Sequence, residues 1–597
     1  MNPSTASAQL VVQSLIAHGV RHVVLAPGSR SAPLAYALVA AADAGELTLH
    51  VRIDERVAGF TALGLARGSR YPAAVVTTSG TAVANLHPAV LEASYGSVPM
   101  IVLSADRPAE LRGTGSNQTM RAQHEMFGSE VRFLADLPAP DSPERLAEWS
   151  KGLCAAIAAA RGLGSTSQAG RRPGPVQLNL AFRDPLVPDS TDAEGPAAAG
   201  SASASGEHWA RAASELAGHP TGEERTPEPA AVHQVAPGPR TVVLAGDSVD
   251  PEVGKAAAAL AERAKWPLLA EPSSGACRST SSIPVYRLIL GSSLSEGIER
   301  VVTFGRPTLS RPVSRLLARR DVEHIVVSPE PEWFGAGVPN ATIVQAVQLA
   351  DAVAVPDADP GAGAVAGRTA HHGPDIDEEW CENWLAAGAA ASAAVRKVAA
   401  SDGDSLNNFA VADAVIGRPG QVYLGSSNVV RDVDLAMTSQ SRATVMAGRG
   451  LSGIDGTVST ASGISLASSP VRVLLGDLTL LHDIGALLIG PLEQEPELQV
   501  VVVNDDGGGI FATLEHGEQR FAGVFERIFG TPHGRNFEEI AAGYGWDYAR
   551  ATTREELDRV LDAPRKGRSI IEVAVHRDSH RDFAARVRDA VEQRLTG

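Results

Sequence analysis

Residues 476–511 read GDLTLLHDIGALLIGPLEQEPELQVVVVNDDGGGIF, and the fold turns on this stretch. An apolar run at 471–475 ends at Gly476-Asp477. A helical stretch follows, and a second apolar run at 498–503 ends at Asn504-Asp505-Asp506-Gly507. Two strands joined by a helix predict a βαβ unit, whose crossover sets both strand ends on the same side of a parallel sheet. Asp477 and Asp505, distant in sequence, are then expected to be neighbours. Two hard oxygen ligands near a helix N-terminus suit Mg²⁺, with phosphate oxygens and water completing the octahedron. The same residues also read as ordinary strand-end turns, where Asp and Gly are common.

The 597 residues exceed what one core can organise, so two to four domains are expected. A 44% hydrophobic and 20% charged composition fits a globular protein. The net charge of −17 argues against a general binder of nucleic acid or anionic membrane. Cys154, Cys277 and Cys381 are dispersed with no CxxC pair. That pattern points to a reducing compartment, the cytoplasm, and to neither a disulfide framework nor a zinc site. The opening MNPSTASAQL lacks the basic and apolar regions of a signal peptide. No apolar run approaches the roughly 18 residues of a membrane span.

The periodicity predicts an α/β protein of three doubly wound parallel-sheet domains, at 1–188, 241–355 and 376–597. Low-complexity stretches at 189–240 and 356–375 read as linkers or insertions. In the first domain, strands are expected at 22–26, 47–53, 73–77, 100–104 and 176–180. Most of them end in polar or Gly-rich residues, where ligands of a parallel sheet gather.

Glu55 stands where a strand meets a helix. There it reads either as an acid or base facing a crevice or as a helix-start acid favoured by the macrodipole. Arg30, Arg107, Arg431 and Arg449 each follow a strand end. Singly each reads as a surface ion-pair partner, but together they suggest a pocket for carboxylates, which match the guanidinium fork. Arg311 is a weaker fifth candidate. The chain has no GxGxxG after its first strand, no phosphate-binding GxxxxGK[ST], no HExxH and no GxSxG. His87, His124 and His482 are isolated and read as structural.

Gly476-Asp477 followed by Asn504-Asp505 resembles the thiamine-diphosphate motif. With PGSRSAPL, IDERVAGFTALGLA, SADRPAEL, GSNQ, SGIDG and NDDGGGIF, the chain resembles the 2-succinyl-5-enolpyruvyl-6-hydroxy-3-cyclohexene-1-carboxylate (SEPHCHC) synthases of menaquinone biosynthesis. The resemblance runs from about residue 20 to 515 and implies pyrimidine-binding, middle and diphosphate-binding domains in that order. It implies a transferase that decarboxylates 2-oxoglutarate and adds the succinyl carbanion equivalent to isochorismate in 1,4 fashion. The implied cofactors are thiamine diphosphate and Mg²⁺ or Mn²⁺. Asp477, Asp505 and the Gly507 carbonyl are the implied metal ligands, and Ser427, Gly476, Leu478, Thr479, Gly508 and Ile510 are implied to contact the cofactor. Ile454 lies beneath the cofactor and Glu55 contacts its aminopyrimidine. Ser29, Arg30, Arg107, Gln118, Ser427, Arg431, Arg449, Ile510, Phe511 and Leu514 line the pocket, with Arg311 matching loosely. The site is completed between subunits, so a homodimer or homotetramer is implied. The chain departs from the usual pattern with GDL for GDG and with Asp505 in place of Asn. An acetolactate-forming relative and a non-catalytic scaffold of the same fold remain alternative readings.

Overall fold

The computed structural model describes residues 1–163, 172–189, 204–217, 231–328, 337–350, 377–403, 405–564, 566–577 and 579–596. They form three large parallel sheets with flanking helices, as the periodicity predicts, and a separate two-stranded parallel sheet. The first has six strands in the spatial order Thr48–Val51, His22–Leu25, Ala73–Thr77, Met100–Asp106, Pro175–Ala181 and Leu134–Leu137. The last sheet runs Ala443–Ala447, Gly420–Leu424, Val471–Gly476, Leu498–Asn504, Arg568–Ala574 and Asp547–Ala551. Numbered along the chain within each domain, both orders are 2-1-3-4-6-5. The middle sheet has five strands, with Arg300–Phe304 at its centre.

Strands Leu134–Leu137 and Asp547–Ala551 have no counterpart in the sequence reading. Both lie at a sheet edge with one side in solvent, so LADL and DYARA never form an apolar run. Within 189–240 the described residues include one helix and one strand. Helix Ala204–Ala217 buries Trp209 and Ala213 in the first domain's core, with Ala212 and Leu216 beside them. These four recur at helical spacing, a stripe masked by the surrounding Ala, Ser and Gly. Strand Val232–Val235 pairs with Ala346–Leu349. The predicted linker at 356–375 lies outside the described residues.

In a doubly wound sheet, ligands bind where the strand order reverses. In the last domain the reversal falls between strands Gly420–Leu424 and Val471–Gly476, whose ends lead to Ser427 and Asp477. In the first it falls between His22–Leu25 and Ala73–Thr77, which lead to Ser29-Arg30 and Ser79-Gly80.

The two outer domains dock through the helices that follow their second strands, Glu55–Ser69 and Thr457–Ala467. A Cβ on Gly64 would strike the Thr460 carbonyl, and one on Gly463 would strike the Thr61 carbonyl. Glycine at both positions therefore lets the two backbones touch. Asp483 anchors the second helix by accepting the Ser459 backbone N–H at 2.8 Å and its hydroxyl at 2.9 Å.

Burial pushes the Asp483 carboxyl up to about 6, against the Ser459 hydrogen bonds that favour its charged form. A folded value above the unfolded one means its contribution is complete below about pH 4 and is lost as pH rises through about 6. Asp483→Asn is expected to flatten that part of the stability profile. Between about pH 5 and pH 7 the parent should lose about 1 kcal/mol relative to the variant, read from paired thermal melts.

Candidate active site

Strands Val471–Gly476 and Leu498–Asn504 pair in parallel with Gly476 opposite Val503, so the two aspartates emerge from adjacent strand ends. The crossover opens with a short helix. It spans Asp477–His482, and after a 3-10 turn at Ile484–Leu487 the chain runs irregularly through Gly490, Pro491 and Pro496.

Asp477 is buried, and its Oδ2 accepts the Gly507 N–H at 2.8 Å, with His533 Nε2 at 3.1 Å. Its Oδ1 accepts the Leu478 N–H at 2.6 Å. Burial raises its pKa, and these donors oppose the shift. Asp505 is nearly as enclosed. Burial and then the Asp477 charge push its carboxyl up to about 8. Its Oδ2 lies 3.5 Å from His580 Nδ1. The 505–509 loop depends on missing side chains. A Cβ on Gly507 (φ +142°) or Gly508 would collide with the carbonyls of Gly530 or Phe529, and one on Gly509 with Asp505 itself. Arg577 Nη1 donates to the carbonyls of Asp506 and Gly530 at 2.7 and 3.1 Å and closes the loop from behind.

Two crowded carboxylates, one of them strongly inclined to hold a proton, form a charge arrangement that a divalent cation relieves. A Cβ on Gly476 would meet nothing within 4 Å, so room exists at this strand end for a phosphate group. The residues fit a diphosphate with Mg²⁺ or Mn²⁺. Among the described residues no three His, Cys, Asp or Glu side chains converge as a metal cluster. Asp477 and Asp505 would supply two carboxylate ligands, with further oxygens from the Gly507 backbone, ligand or water.

Glu55 is the first residue of its helix. Capping is performed by Asp54, whose Oδ1 accepts the N–H groups of Arg56 (2.8 Å) and Val57 (3.3 Å). Among the described residues the Glu55 carboxylate has no hydrogen-bond or ion-pair partner, so local structure does not use it.

The four strand-end arginines form two pairs instead of one cluster. Arg30 donates to the Phe182 carbonyl at 3.0 Å, and its pKa is lowered by burial and then by the Arg107 charge. Arg107 donates to the Ser79 hydroxyl (3.2 Å) and the Gln118 carbonyl (3.0 Å). Its backbone N–H is fixed by buried Asp106 at 2.7 Å. Ser29 and Gln118 are exposed beside this pair. In the last domain, Arg431 donates to the Ser427 carbonyl, and its pKa is lowered by burial and then by Arg449. Among the described residues no hydrogen bond or ion pair joins Ser29, Arg30, Glu55, Arg107 or Gln118 to Ser427, Arg431, Arg449, Asp477 or Asp505. Arg311 belongs to neither pair. It is 75% exposed and pairs with Glu515 at 2.9 Å.

Ile454, Ile510, Phe511 and Leu514 are half-buried, Leu478 is half-buried and Thr479 is buried. Gln118, Ser427 and Asp506 hold φ of +51°, +73° and +55°, a left-handed conformation uncommon outside glycine and concentrated at functional sites. A cavity of about 230 Å³ opens among Asn428, Arg431, Asp432, Thr513 and His580.

Several neighbours were not evident in the sequence. His533 sits in a TPHGR loop with no partner at a diagnostic spacing, and Arg577 and His580 follow the last strand. Thr308 and Glu271 come from the middle domain. Arg449 donates to the Thr308 hydroxyl from both Nε (3.1 Å) and Nη2 (2.7 Å). Glu271 Oε1 in turn accepts the Thr308 and Leu309 N–H groups, each at 2.8 Å. Glu271 is buried, which pushes its carboxyl up to about 7 against the opposing pull of Arg449.

Residues 6–126 match the family described as thiamine pyrophosphate enzyme, N-terminal TPP binding domain. Residues 427–573 match the C-terminal TPP binding domain of the same enzymes. The SEPHCHC synthase of Kineococcus radiotolerans is 47% identical, over 99% of this chain and 99% of its own length. That of Paenarthrobacter aurescens is 46% identical over 98% and 97%. That of Saccharopolyspora erythraea is 40% identical over the whole of both. With identity of this order along its full length, and with both cofactor-binding domains matched, the chain belongs to the SEPHCHC synthase family of thiamine-diphosphate-dependent enzymes.

Proposed function

We propose that this chain is a transferase that decarboxylates 2-oxoglutarate and joins the remaining succinyl unit to isochorismate, with Mg²⁺ or Mn²⁺ and thiamine diphosphate. The observation that carries the substrate class is the two arginine pairs at strand ends. Both substrates are dicarboxylates, and an acidic chain that keeps four arginines there has a use for anions. An acetolactate-forming enzyme handles smaller, less charged acids, and the named relatives do not favour it.

Thiamine diphosphate supplies the electron sink that decarboxylation and carbon–carbon bond formation require. In this reading Asp477, Asp505 and the Gly507 carbonyl hold the metal, while Gly476, Leu478, Thr479 and Gly508 wall the diphosphate. Ile454 supports the cofactor from below. Glu55 holds a proton at a ring nitrogen of the aminopyrimidine, a role suited to a carboxylate with no competing partner. Ser29, Arg30, Arg107 and Gln118 orient one set of substrate carboxylates, and Ser427, Arg431 and Arg449 the other. Ile510, Phe511 and Leu514 form the apolar side.

A site of this kind needs two chains. Glu55 and its arginine pair form one half, and the aspartates with the second pair form the other. Ile53 is 70% exposed and Leu492 is 96% exposed. Glu493 takes the Val51 N–H at 2.7 Å, which places these residues in one region near Glu55. Exposed large apolar groups there suit cover by a second copy. A homodimer is the minimum and a tetramer is compatible with it. The cytoplasm is the compartment implied by three cysteines of which none forms a disulfide.

Purified protein with thiamine diphosphate and Mg²⁺ is to be incubated with 2-oxoglutarate, with and without isochorismate. Product that requires both substrates is expected, and CO₂ release indifferent to isochorismate would count against the reading. Asp505→Asn is expected to weaken metal activation by about tenfold and to change the Mg²⁺/Mn²⁺ ratio. Superimposable activity titrations for parent and variant would remove Asp505 from the metal site.

A further inference from the structure

The Arg449 loop is where the three domains meet. The first domain holds its backbone through half-buried Glu92, whose carboxylate accepts the N–H groups of Gly450 and Leu451, each at 2.7 Å. Arg67, from the same domain, donates to the Ala447 carbonyl at 2.8 Å. The middle domain holds the side chain. Thr308 lies just beyond strand Arg300–Phe304 and Glu271 just beyond Leu268–Ala270, so the carboxyl edge of the middle sheet meets that of the last sheet.

With its backbone pinned by Glu92, Arg449 keeps freedom only in its side-chain torsions. The Thr308 hydroxyl removes that freedom by engaging Nε and Nη2 together. Glu271 fixes Thr308 through two backbone bonds, so the hydroxyl is itself well placed. Among the described residues Nη1 has no acceptor, which leaves one edge of the guanidinium for a ligand.

We propose that Thr308, held in place by Glu271, is a positioning residue that aims the Arg449 guanidinium at a substrate carboxylate. The inference rests on the reading of Arg449 as a substrate-binding group. It gives the middle domain a part in substrate recognition. A guanidinium free to rotate must be ordered by each arriving substrate, and that ordering weakens binding more than it slows the bound complex.

The test measures steady-state kinetics of the holoenzyme for 2-oxoglutarate and for isochorismate. Arg449→Ala first shows which substrate it serves. Thr308→Val is then expected to raise KM for that same substrate by about tenfold with kcat within about twofold, the scale of one hydrogen bond to a charged group. Thr308→Ser should restore the parent KM, and Thr308→Val should add nothing in the Arg449→Ala background. Thr308→Ala carries the same loss should the valine variant fail to fold. If Arg449→Ala raises KM and the threonine variants do not, this inference is overturned and the substrate role of Arg449 stands. Additive effects in the double variant, or failure of serine to rescue, overturn it equally. If Arg449→Ala leaves both substrates unaffected, the role of Arg449 itself is wrong and the inference falls with it.

Discussion

Glu55→Gln is expected to lower turnover by about 10²- to 10⁴-fold, the usual range for losing a positioned acid or base. Cofactor binding should stay within a few-fold of the parent. The substitution keeps size and helix position and removes only the exchangeable charge. Asp54 continues to cap the helix through Arg56 and Val57, so no loss of stability is expected. Single-turnover assays and calorimetric titration with thiamine diphosphate and Mg²⁺ separate the two effects. Loss of cofactor binding alongside turnover would make Glu55 a structural residue and sink the assignment.

Asp477→Asn is the complementary case. Affinity for thiamine diphosphate in the presence of Mg²⁺ should fall by about 100-fold or more, because a direct ligand costs at least as much as its outer-shell partners. Its carboxylate organises the loop as well, taking the Gly507 N–H, the Leu478 N–H and His533. An amide there must turn its NH₂ towards one of those donors. Cofactor titrations of variant and parent read the difference directly, and equal affinities would remove Asp477 from the diphosphate site.

Mixing the two inactive variants tests the two-chain site. If Glu55 of one subunit serves Asp477 of another, a mixed dimer carries one intact site and one doubly damaged site. Random reassortment should then restore about a quarter of parental activity. Were both residues to act within one chain, every site would carry a lesion and activity would stay at baseline.

Much of this was legible in the chain. Residues 471–476 and 498–504 announce themselves because both faces of a central parallel strand are buried, which writes an uninterrupted apolar run ending in polar turns. Edge strands such as 547–551 carry no such signature. Asp477, Asp505 and the glycines beside them, Gly476, Gly507 and Gly508, read as candidates because their pattern is one of local spacing. Pairwise geometry between remote segments could not. Arg30 with Arg107 and Arg431 with Arg449 each meet within one domain, across segments remote in sequence. The link from Glu271 through Thr308 to Arg449 joins residues that no motif connects. His533 carries no signal in the sequence for the same reason, since an isolated histidine gains meaning only beside a carboxylate such as Asp477.

The glycine contact between helices Glu55–Ser69 and Thr457–Ala467 has a further consequence. The helices are equivalent elements of two domains with one strand order, and their contacts are reciprocal. Gly64 faces Thr460 and Gly463 faces Thr61, with the same three-residue offset on each side. This is the signature of an isologous interface, here formed between two halves of one polypeptide. A single chain thus contains an approximate internal diad, with each outer domain already serving as the other's partner on that face. A second chain must then dock elsewhere, and an oligomer built on such a unit inherits pseudosymmetry higher than its number of subunits implies.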